Sequence, residues 1–452
     1  MQGRRLTGLA AEIAEIRPAR AVGRVTHAGG GLVHVSGLAE AAALGDRVRI
    51  ETRGGPIGGE IVELRADGAE ILPEGTGEGL RLGDAALHLG PATVAPDDGW
   101  IGRIIDADGR PADGRPLPPG AEPRALRAPP PAAVRRRALG ARLDTGLAVF
   151  DTMLPVVRGQ RLGLFAGAGV GKSRLLGALG RRMEADVTVI ALIGERGREL
   201  REFVERVLGP EGMARSVIVV ATSDQPPLVR RRAIWTAMSV AEHFRDAGRH
   251  VLFLADSVTR FAEAHREIAL AAGESAALRG YPPSVAQAIM ALAERAGPGP
   301  EGGAGDITAL FTVLVAGSDM DEPVADILRG VLDGHVVLDR AIAERGRFPS
   351  VDVLRSVSRS LPDCATEEEN QLITLARRRL AAYEQAELMI QSGLYTAGAD
   401  PETDAAVSTW PALDAFVAES APDGVAAAFA RLARCLGQPA PAHGETRRSA
   451  PA

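Results

Sequence analysis

A glycine-rich loop that ends in lysine and serine follows an apolar run at residues 161–165, and a helix-like stretch comes directly after it. Glycines in such a loop let successive backbone amides point at phosphate oxygens, and the N-terminus of the next helix adds its positive end. The lysine reaches the terminal phosphates, and the serine can ligate Mg²⁺. The spacing therefore predicts a site for a nucleoside triphosphate with Mg²⁺. The residues predicted to hold the nucleotide are Gly167, Ala168, Gly169, Val170, Gly171, Lys172, Ser173 and Arg174.

Lys172 is the only lysine of the chain, which otherwise carries 51 arginines. A chain with arginine at every other basic position keeps lysine where a compact ammonium group is needed. This count favours a phosphate role over an ordinary glycine-rich turn. The pattern has one departure, because Ala166 stands where the first glycine of the loop is usual.

A carboxylate, Asp256, follows the apolar run at residues 251–254. In P-loop enzymes an acid at the end of a buried strand helps to hold Mg²⁺ beside the phosphates. We therefore expect Ser173 and Asp256 to supply the metal ligands. The alternative is that Asp256 only caps a helix that begins near Phe261.

Two charged residues, Glu195 and Arg196, follow the apolar run at residues 187–193. Ligands of open α/β sheets bind at the carboxyl ends of the strands, which is where these side chains would lie. Glu195 is therefore a candidate for orienting and deprotonating the attacking water. Spacing alone leaves equal weight on the alternative, in which Glu195 merely begins the charged helix at residues 198–202.

The predicted secondary structure that positions these residues differs from one part of the chain to the next. Short alternating runs between residues 20 and 90 predict a small β-barrel, after an amphipathic stretch at 6–16 that predicts a docking helix. Eight prolines between residues 111 and 131 predict an extended connector. Five apolar runs then alternate with helices, which is typical of a parallel α/β sheet. After residue 366 the pattern is helical, at 367–390 and 425–436.

The predicted fold is thus multi-domain α/β: an N-terminal β-barrel, a central RecA-like P-loop domain and a C-terminal helical domain. The predicted boundaries are 1–90 for the docking helix and barrel, 91–365 for the nucleotide-binding domain, 366–437 for the helical domain and 438–452 for a flexible tail.

Composition excludes several other classes. Of the 452 residues 46% are hydrophobic and 24% are charged, which is typical of a folded globular chain. The formal charge of −6 gives no global basic field for nucleic acid. Two cysteines form no disulfide framework, and no apolar run reaches the length of a membrane span. We therefore expect a cytoplasmic protein whose membrane contact is peripheral.

Several segments together resemble one family, the type III export ATPases, and most of all its flagellar branch. The resemblance runs from about residue 20 to 435, and the segments that carry it are 164–173, 193–199, 256–262, 279–284 and 332–338. It implies a three-domain protomer, similar to the catalytic subunit of rotary ATP synthases, in a homohexamer with its sites between neighbours. Two segments depart from the family pattern, at 275–278 and 317–319.

The resemblance also implies roles for single residues. Glu195 matches the catalytic glutamate, and Arg196 and Arg260 match residues that organise the phosphate end of the site. Arg359 matches the arginine finger that enters from the adjacent protomer. The aromatic residues that match the adenine contacts are Phe348 and, less directly, Tyr395.

The function that the resemblance implies is Mg²⁺-dependent ATP hydrolysis that energises flagellar protein export at the inner membrane. Expected partners are other copies of the chain, a stator-like regulator, a central stalk protein, the export gate, and complexes of cargo and chaperone. Three alternatives stay open: an injectisome ATPase, a rotary ATPase subunit, and an RNA-translocating hexamer. The acidic composition and the scarcity of aromatic residues argue against the last.

Overall fold

The structure is a computed structural model that describes residues 20–315, 320 and 322–441. The predicted docking helix at 6–16, the segment 317–319 and the end of the predicted tail after residue 441 lie outside the described residues.

The alternating runs near the beginning of the chain form a closed barrel. In the run at residues 47–52, Val48 and Ile50 are buried, whereas the intervening Arg49 and Glu51 face solvent. The barrel strands are β1 (Val22–Gly29), β2 (Leu32–Ser36), β3 (Arg47–Thr52), β4 (Gly55–Arg65), β5 (Gly68–Pro73) and β6 (Ala85–Gly90). They pair in the order β1-β2-β5-β4-β3-β6, and β6 closes the barrel against β1.

The next strands belong mostly to one parallel sheet. They are β7 (Thr93–Val94), β8 (Arg103–Ile105), β9 (Arg124–Ala125), β10 (Arg161–Ala166), β11 (Val187–Glu195), β12 (Ser216–Thr222), β13 (His250–Asp256), β14 (Gly297–Pro298), β15 (Asp306–Leu314), β16 (Gly334–Leu338) and β17 (Val351–Ser358). The order along the sheet is β17-β16-β10-β15-β13-β11-β12-β8. The strands from β16 to β8 run parallel, whereas β17 runs antiparallel to β16. The carboxyl ends of β10 to β12 therefore meet at one edge.

Helices connect and cover these strands. They are α1 (Ala148–Asp151), α2 (Lys172–Arg182), α3 (Gly197–Glu202), α4 (Gly209–Met213), α5 (Pro227–Asp246), α6 (Val258–Ala271), α7 (Pro283–Arg295), α8 (Pro323–Val331), α9 (Arg340–Glu344), α10 (Glu367–Gln391), α11 (Pro401–Ala418) and α12 (Gly424–Cys435). A π-helical turn, Phe203–Leu208, links α3 to α4. Within the described ranges no helix has the length and apolar character needed to cross a bilayer.

The fold class predicted from the sequence is confirmed, with one element added at the end of the chain. The predicted helices at 367–390 and 425–436 correspond to α10 and α12. Helix α11 between them was not predicted, because Pro401 and Pro411 suggest breaks. Pro401 instead occupies the first turn, where no donor is needed, and Pro411 is accommodated inside the helix.

Buried ion pairs join the barrel to helix α5. Glu60 of β4 accepts from Arg231 at 2.6 Å, and Arg232 pairs with Glu74 and, at 2.8 Å, with Asp108. Burial lowers the pKa of Arg231 to about 10, so this guanidinium stays charged at neutral pH. Removing one partner of such a pair leaves an uncompensated buried charge. The barrel is thereby fixed to a helix that packs on the parallel sheet.

A buried histidine in the parallel sheet predicts how stability depends on pH. His250 begins β13, and its Nε2 lies 2.8 Å from Thr308 Oγ1. Burial, with a further contribution from Arg158, lowers the pKa of His250 from 6.5 to about 4. The unfolded chain binds this proton near pH 6.5, whereas the folded chain resists it down to about pH 4, so the stabilising contribution is lost as the pH falls through this window.

We expect the free energy of unfolding of the wild type to fall more steeply between pH 7 and pH 4 than that of His250→Gln, by on the order of 3 kcal/mol at most. Urea denaturation at a series of pH values measures both. The exposed His27→Gln serves as control, with the slope of the wild type. A difference between wild type and His250→Gln that does not depend on pH contradicts the assignment.

Candidate active site

The predicted phosphate loop lies between β10 and α2. Gly169 and Gly171 have φ angles of 78° and 89°, in the left-handed region that glycine adopts without strain. Ser350 Oγ donates to the carbonyl of Val170 at 2.7 Å and holds the loop from the β17 side. Ala166, the departure from the usual pattern, is the last residue of β10 and is fully buried. It therefore precedes the turn that needs glycine.

The loop opens into a cleft of about 810 Å³ at the carboxyl edge of the sheet. Charged side chains from six elements and the loops next to them line this cleft. They are Lys172, Arg174, Glu195, Arg196, Glu199, Glu202, Arg230, Asp256 and Arg260. Ser173 lies there too, whereas the backbone of Gly167, Ala168, Gly169 and Gly171 forms the wall on the loop side.

At the centre of the cleft Lys172 bridges two carboxylates. Its Nζ donates to Asp256 Oδ1 and lies 3.4 Å from Glu195 Oε1. Burial lowers the pKa of Lys172, but the charges of Asp256 and Glu195 outweigh burial and raise it above its ordinary value. Burial also raises the pKa of Glu195, and the nearby charge of Lys172 opposes this only in part. The arrangement keeps a cation beside a carboxylate of increased basicity.

Asp256 is the last residue of β13, and its position excludes the helix-cap alternative. Ser257 is the N-cap of α6, because its side chain accepts from the backbone N–H of Arg260. Asp256 is only 2% exposed, and its Oδ1 accepts from Thr312 Oγ1 of β15 at 2.8 Å. The carboxylate is thus aimed into the cleft by a neighbouring strand.

A bulge in β11 positions Glu195. The register of β11 with β12 shifts between Ile193 and Glu195, where Gly194 has φ 72°. Bulges of this kind redirect the following side chain. A Cβ at Gly194 would lie 2.8 Å from Cγ of Arg260, so glycine is needed both for its φ angle and for the approach of that arginine. Gly194 therefore positions Glu195 and Arg260 together.

The two arginines expected near the phosphates both line the cleft. Arg260 Nη1 donates to Glu263 Oε2 at 2.8 Å, and its side chain is 40% exposed. Arg196 caps α3, and its guanidinium lies 3.6 Å from Glu199 with a side-chain exposure of 66%. Arg260 and its partner Glu263 lie one turn apart on α6. Arg196 precedes α3, and its partner Glu199 lies in the first turn of that helix.

The two aromatic candidates lie in different places. Phe348 packs beside the loop, since a Cβ at Gly171 would lie 2.9 Å from its Cδ1, and the ring is 41% exposed. Tyr395 lies in the turn after α10, where its hydroxyl donates to Asp404 Oδ1 at 2.6 Å. It is not among the residues that line the cleft. Phe348 is likewise not among the lining residues, so the adenine role of each aromatic residue stays a prediction.

Arg359 is remote from the phosphate loop of its own chain. It follows β17, which pairs Ser358 with Gly334 at the beginning of β16 and Val351 with Leu338 at its end. The phosphate loop follows Ala166, which pairs with Leu338. Arg359 is therefore at the amino edge of the sheet and the loop is at the carboxyl edge. Its Nη2 donates to the carbonyl of Arg329 at 3.1 Å, and the side chain is exposed.

Two residues of the site were not predicted from the sequence. Thr312 is a single polar residue inside the apolar strand β15, and that interruption was the available signal. Arg230, in the first turn of α5, lines the cleft from the side of β12. Nothing in its sequence setting separates it from its neighbours Arg231 and Arg232, which face the barrel.

A phosphate loop at a parallel sheet, a lysine between two carboxylates and an adjacent arginine define the class of P-loop nucleotide hydrolases. Comparison with known proteins defines the group within this class. The family model for the ATP synthase alpha/beta family, nucleotide-binding domain, matches residues 146–358. The model for the T3SS EscN ATPase C-terminal domain matches residues 365–431.

Whole-chain relatives agree with these matches. The flagellum-specific ATP synthase of Caulobacter vibrioides is 48% identical over 422 residues, which cover 92% of this chain and 95% of that protein. The SPI-2 type 3 secretion system ATPase of Salmonella typhimurium is 46% identical over 362 residues, 80% of this chain and 83% of that protein. The solved structure of the assembled ATPase EscN of enteropathogenic E. coli, in complex with its central stalk EscO, has a TM-score of 0.83 and 36% identity. It covers 92% of this chain and 100% of that chain.

The chain belongs to the type III export ATPase family, and it is an ATP-hydrolysing enzyme of that family.

The bulge at Gly194 predicts a selective loss of activity. Gly194→Ala strains a left-handed backbone position and displaces Arg260, so we expect kcat to fall about 10- to 100-fold. The free energy of unfolding should fall by only about 1–2 kcal/mol. Steady-state ATPase assays and thermal melts measure the two effects.

Gly197→Ala is the matched control, because a Cβ at Gly197 has no neighbour within 4 Å. We expect it to keep the activity of the wild type. Equal activities of Gly194→Ala and Gly197→Ala would show that the bulge does not position the site.

Proposed function

We propose that this cleft hydrolyses ATP with Mg²⁺, and that hydrolysis energises flagellar type III protein export. The observation that carries the chemical part is the contact of Lys172 with Asp256 and Glu195 at the end of the phosphate loop. The family membership supports the biological part.

Lys172 neutralises the terminal phosphates in this proposal. Its ammonium group now faces two carboxylates, and a bound triphosphate supplies the same negative charge from the loop side. Because the neighbouring carboxylates raise the pKa of Lys172, it remains charged throughout. A preorganised cation of this kind stabilises the charge that develops on the transferred phosphoryl group.

Glu195 orients the attacking water and accepts its proton. A carboxylate is a stronger base when burial raises its pKa, as it does here. Lys172 holds Glu195 next to the position of the terminal phosphate. Arg260 and Arg196 then bind the phosphoryl oxygens, exchanging their contacts with Glu263 and Glu199 for the substrate.

The residues present fit a magnesium ion. Magnesium takes one or two protein oxygens and completes its shell with water and phosphate, so it does not require a cage of acids. Ser173 and Asp256 both line the cleft beside the loop, and their hydroxyl and carboxylate oxygens are suitable donors. When bound, the ion neutralises phosphate charge and orients the terminal phosphoryl group.

The adenine ring is held in part by Phe348. Phe348 is 41% exposed, so part of its ring remains available for a ligand. A flat apolar surface next to the loop supports a stacking role, and Gly171 leaves room for the ring to approach the backbone.

Arg359 completes the site of an adjacent protomer. Its position at the amino edge of the sheet, with the phosphate loop at the carboxyl edge, supports action in trans. A head-to-tail contact that repeats in this way forms a ring when the rotation between neighbours closes. We propose a homohexamer, as the likeness to the assembled ATPase EscN supports. The central stalk in the EscN structure supports a stalk partner for this ring.

The remaining partners are proposed from the family alone. They are a stator-like regulator, the export gate, cargo with its chaperones, and peripheral contact with the inner membrane from the cytoplasmic side. The injectisome ATPases are the second candidate, because a relative of that system is 46% identical. The presence of Glu195 argues against a non-catalytic rotary subunit. The acidic composition of the chain and the scarcity of aromatic residues argue against RNA binding.

Deleting the gene from its source bacterium separates the two export systems. We expect loss of the flagellar filament and of secreted flagellin, restored by the wild-type gene but not by Lys172→Ala. Intact flagella together with loss of injectisome secretion would favour the second candidate.

Mixing two inactive variants tests whether Arg359 acts in trans. We expect Lys172→Ala and Arg359→Ala each to lose ATPase activity, the latter by about 10³-fold or more. In random mixed rings about one quarter of the interfaces pair an intact phosphate loop with an intact finger. An equimolar mixture should therefore recover up to about one quarter of the wild-type rate.

Arg340→Ala is the control, because Arg340 is an exposed arginine of α9 that pairs with Glu344. It should keep full activity by itself. A mixture no more active than its components, in rings that native mass spectrometry shows to be mixed, would mean that Arg359 acts within its own chain or not at all.

The base role of Glu195 predicts the acid limb of the pH–rate profile. A base works deprotonated, so kcat/KM should fall as the pH drops toward the raised pKa of Glu195, with the inflection above pH 4.5. Glu195→Gln should lose about 10²- to 10⁴-fold in kcat and retain binding of a fluorescent ATP analogue.

The control is Glu205→Gln, an exposed carboxylate on the π-helical turn. Its profile should match that of the wild type. An unchanged acid limb in the residual activity of Glu195→Gln would assign the titration to another group.

A further inference from the structure

The far end of the cleft contains an arginine that the roles above leave unused. Along the carboxyl edge, β10 carries the phosphate loop, β13 ends in Asp256, β11 ends in Glu195, and β12 leads to Ser223. Neighbouring strands are about 4.8 Å apart, so the β12 end lies one strand beyond Glu195, on the side away from the loop. Ser223 and Arg230 line the cleft there.

Arg230 is mostly buried but keeps part of its guanidinium available. Its side chain is 13% exposed. The Nη2 group donates to Glu267 at 3.0 Å, and Nε donates to the carbonyl of Gln225 at 3.1 Å. Within the described residues Nη1 makes no hydrogen bond. A bidentate anion can therefore use Nη1 and Nη2 once Glu267 is released.

The partner of Arg230 is easily released. Glu267 is 50% exposed, and its carboxylate can turn to solvent at little cost in desolvation. The backbone of Arg230 is held firmly, because the next two residues, Arg231 and Arg232, pair with the barrel. The site thus combines a fixed cation with an exchangeable carboxylate.

The geometry of ATP hydrolysis indicates which anion would reach the β12 end of the cleft. In phosphoryl transfer the water attacks in line with the leaving oxygen, from the opposite side of the phosphorus. The leaving ADP stays on the loop, and the water comes from the side of Glu195. The product phosphate therefore separates from ADP towards Glu195 and the β12 end.

We propose that Arg230, with the Ser223 hydroxyl, forms a subsite that receives inorganic phosphate after cleavage and retains it before release. The inference rests on the ATP hydrolysis proposed above. Arg230 exchanges Glu267 for phosphate, so it acts on the product and leaves substrate binding to the loop. No bond is made or broken at this subsite.

Product inhibition by phosphate tests the subsite, with ionic strength held constant by chloride. For Arg230→Gln we expect the inhibition constant for phosphate to rise about tenfold or more, whereas KM for ATP changes less than about twofold. Arg230→Lys keeps the positive charge but loses the paired N–H donors of the guanidinium, so its inhibition constant for phosphate should be intermediate. Glu267→Gln removes the competing charge and should bind phosphate more tightly than the wild type.

Arg201→Gln is the matched control, since Arg201 is a 79% exposed arginine of α3 that does not line the cleft. Its inhibition constant should equal that of the wild type. Equilibrium dialysis with radiolabelled phosphate in the presence of Mg²⁺ and ADP repeats the comparison without turnover, so it remains decisive even if ATP hydrolysis itself fails.

Three results overturn the proposal. The first is an unchanged inhibition constant and unchanged binding in Arg230→Gln. The second is a parallel rise of KM for ATP, which would make Arg230 a ligand of the substrate or a purely structural link between α5 and α6. The third is a wild type that neither binds phosphate nor is inhibited by it.

Discussion

One charge arrangement determines the rest of the site, namely a buried ammonium group between two carboxylates. Lys172, Asp256 and Glu195 come from three separate elements, and the charge of Lys172 compensates the charges of the two carboxylates, whose burial without a cation would be costly. The parallel sheet brings the three together by ending β11 and β13 at the edge where the phosphate loop follows β10. The same arrangement holds a cation where phosphate charge arrives and increases the basicity of Glu195. Both the stability of the site and its chemistry therefore require carboxylates at the ends of β11 and β13, next to Lys172.

Much of this could be predicted from the sequence, because the signals are local. A phosphate loop needs its residues in one continuous segment, and apolar runs that end in Asp256 or Glu195 indicate the strand ends by themselves. Contacts between side chains of different strands leave no local signal in the sequence. Thr312 reaches Asp256 only because β15 and β13 are neighbours, and their strand order is not visible in the sequence. The adenine role of Tyr395 likewise rests on a sequence match alone, which carries no distance, so it stays a prediction.

Helix α5 connects the barrel to the cleft. Its first turn places Arg230 in the cleft, and the next two residues are fixed to the barrel by buried ion pairs. Arg127 and Arg231 both lie over the ring of Trp235, at 4.6 and 5.0 Å, which adds cation–π attraction to the same joint. A change in the barrel that shifts these ion pairs also shifts the helix that carries Arg230. The barrel thus helps to fix the position of Arg230 at the β12 end of the site.

The direction of one strand supports the proposed action of Arg359 on a neighbouring chain. In a sheet whose other main strands run parallel, the reversal of β17 brings Phe348, before it, to the carboxyl edge and Arg359, after it, to the amino edge. The eight residues of β17 separate the two by about 26 Å along the strand. In the proposed function one chain therefore presents Phe348 to its own nucleotide and Arg359 to that of a neighbour, because β17 keeps the two residues at opposite edges of the sheet. An arginine finger contributes only where it touches the transition state, so the proposed role of Arg359 requires a contact between chains.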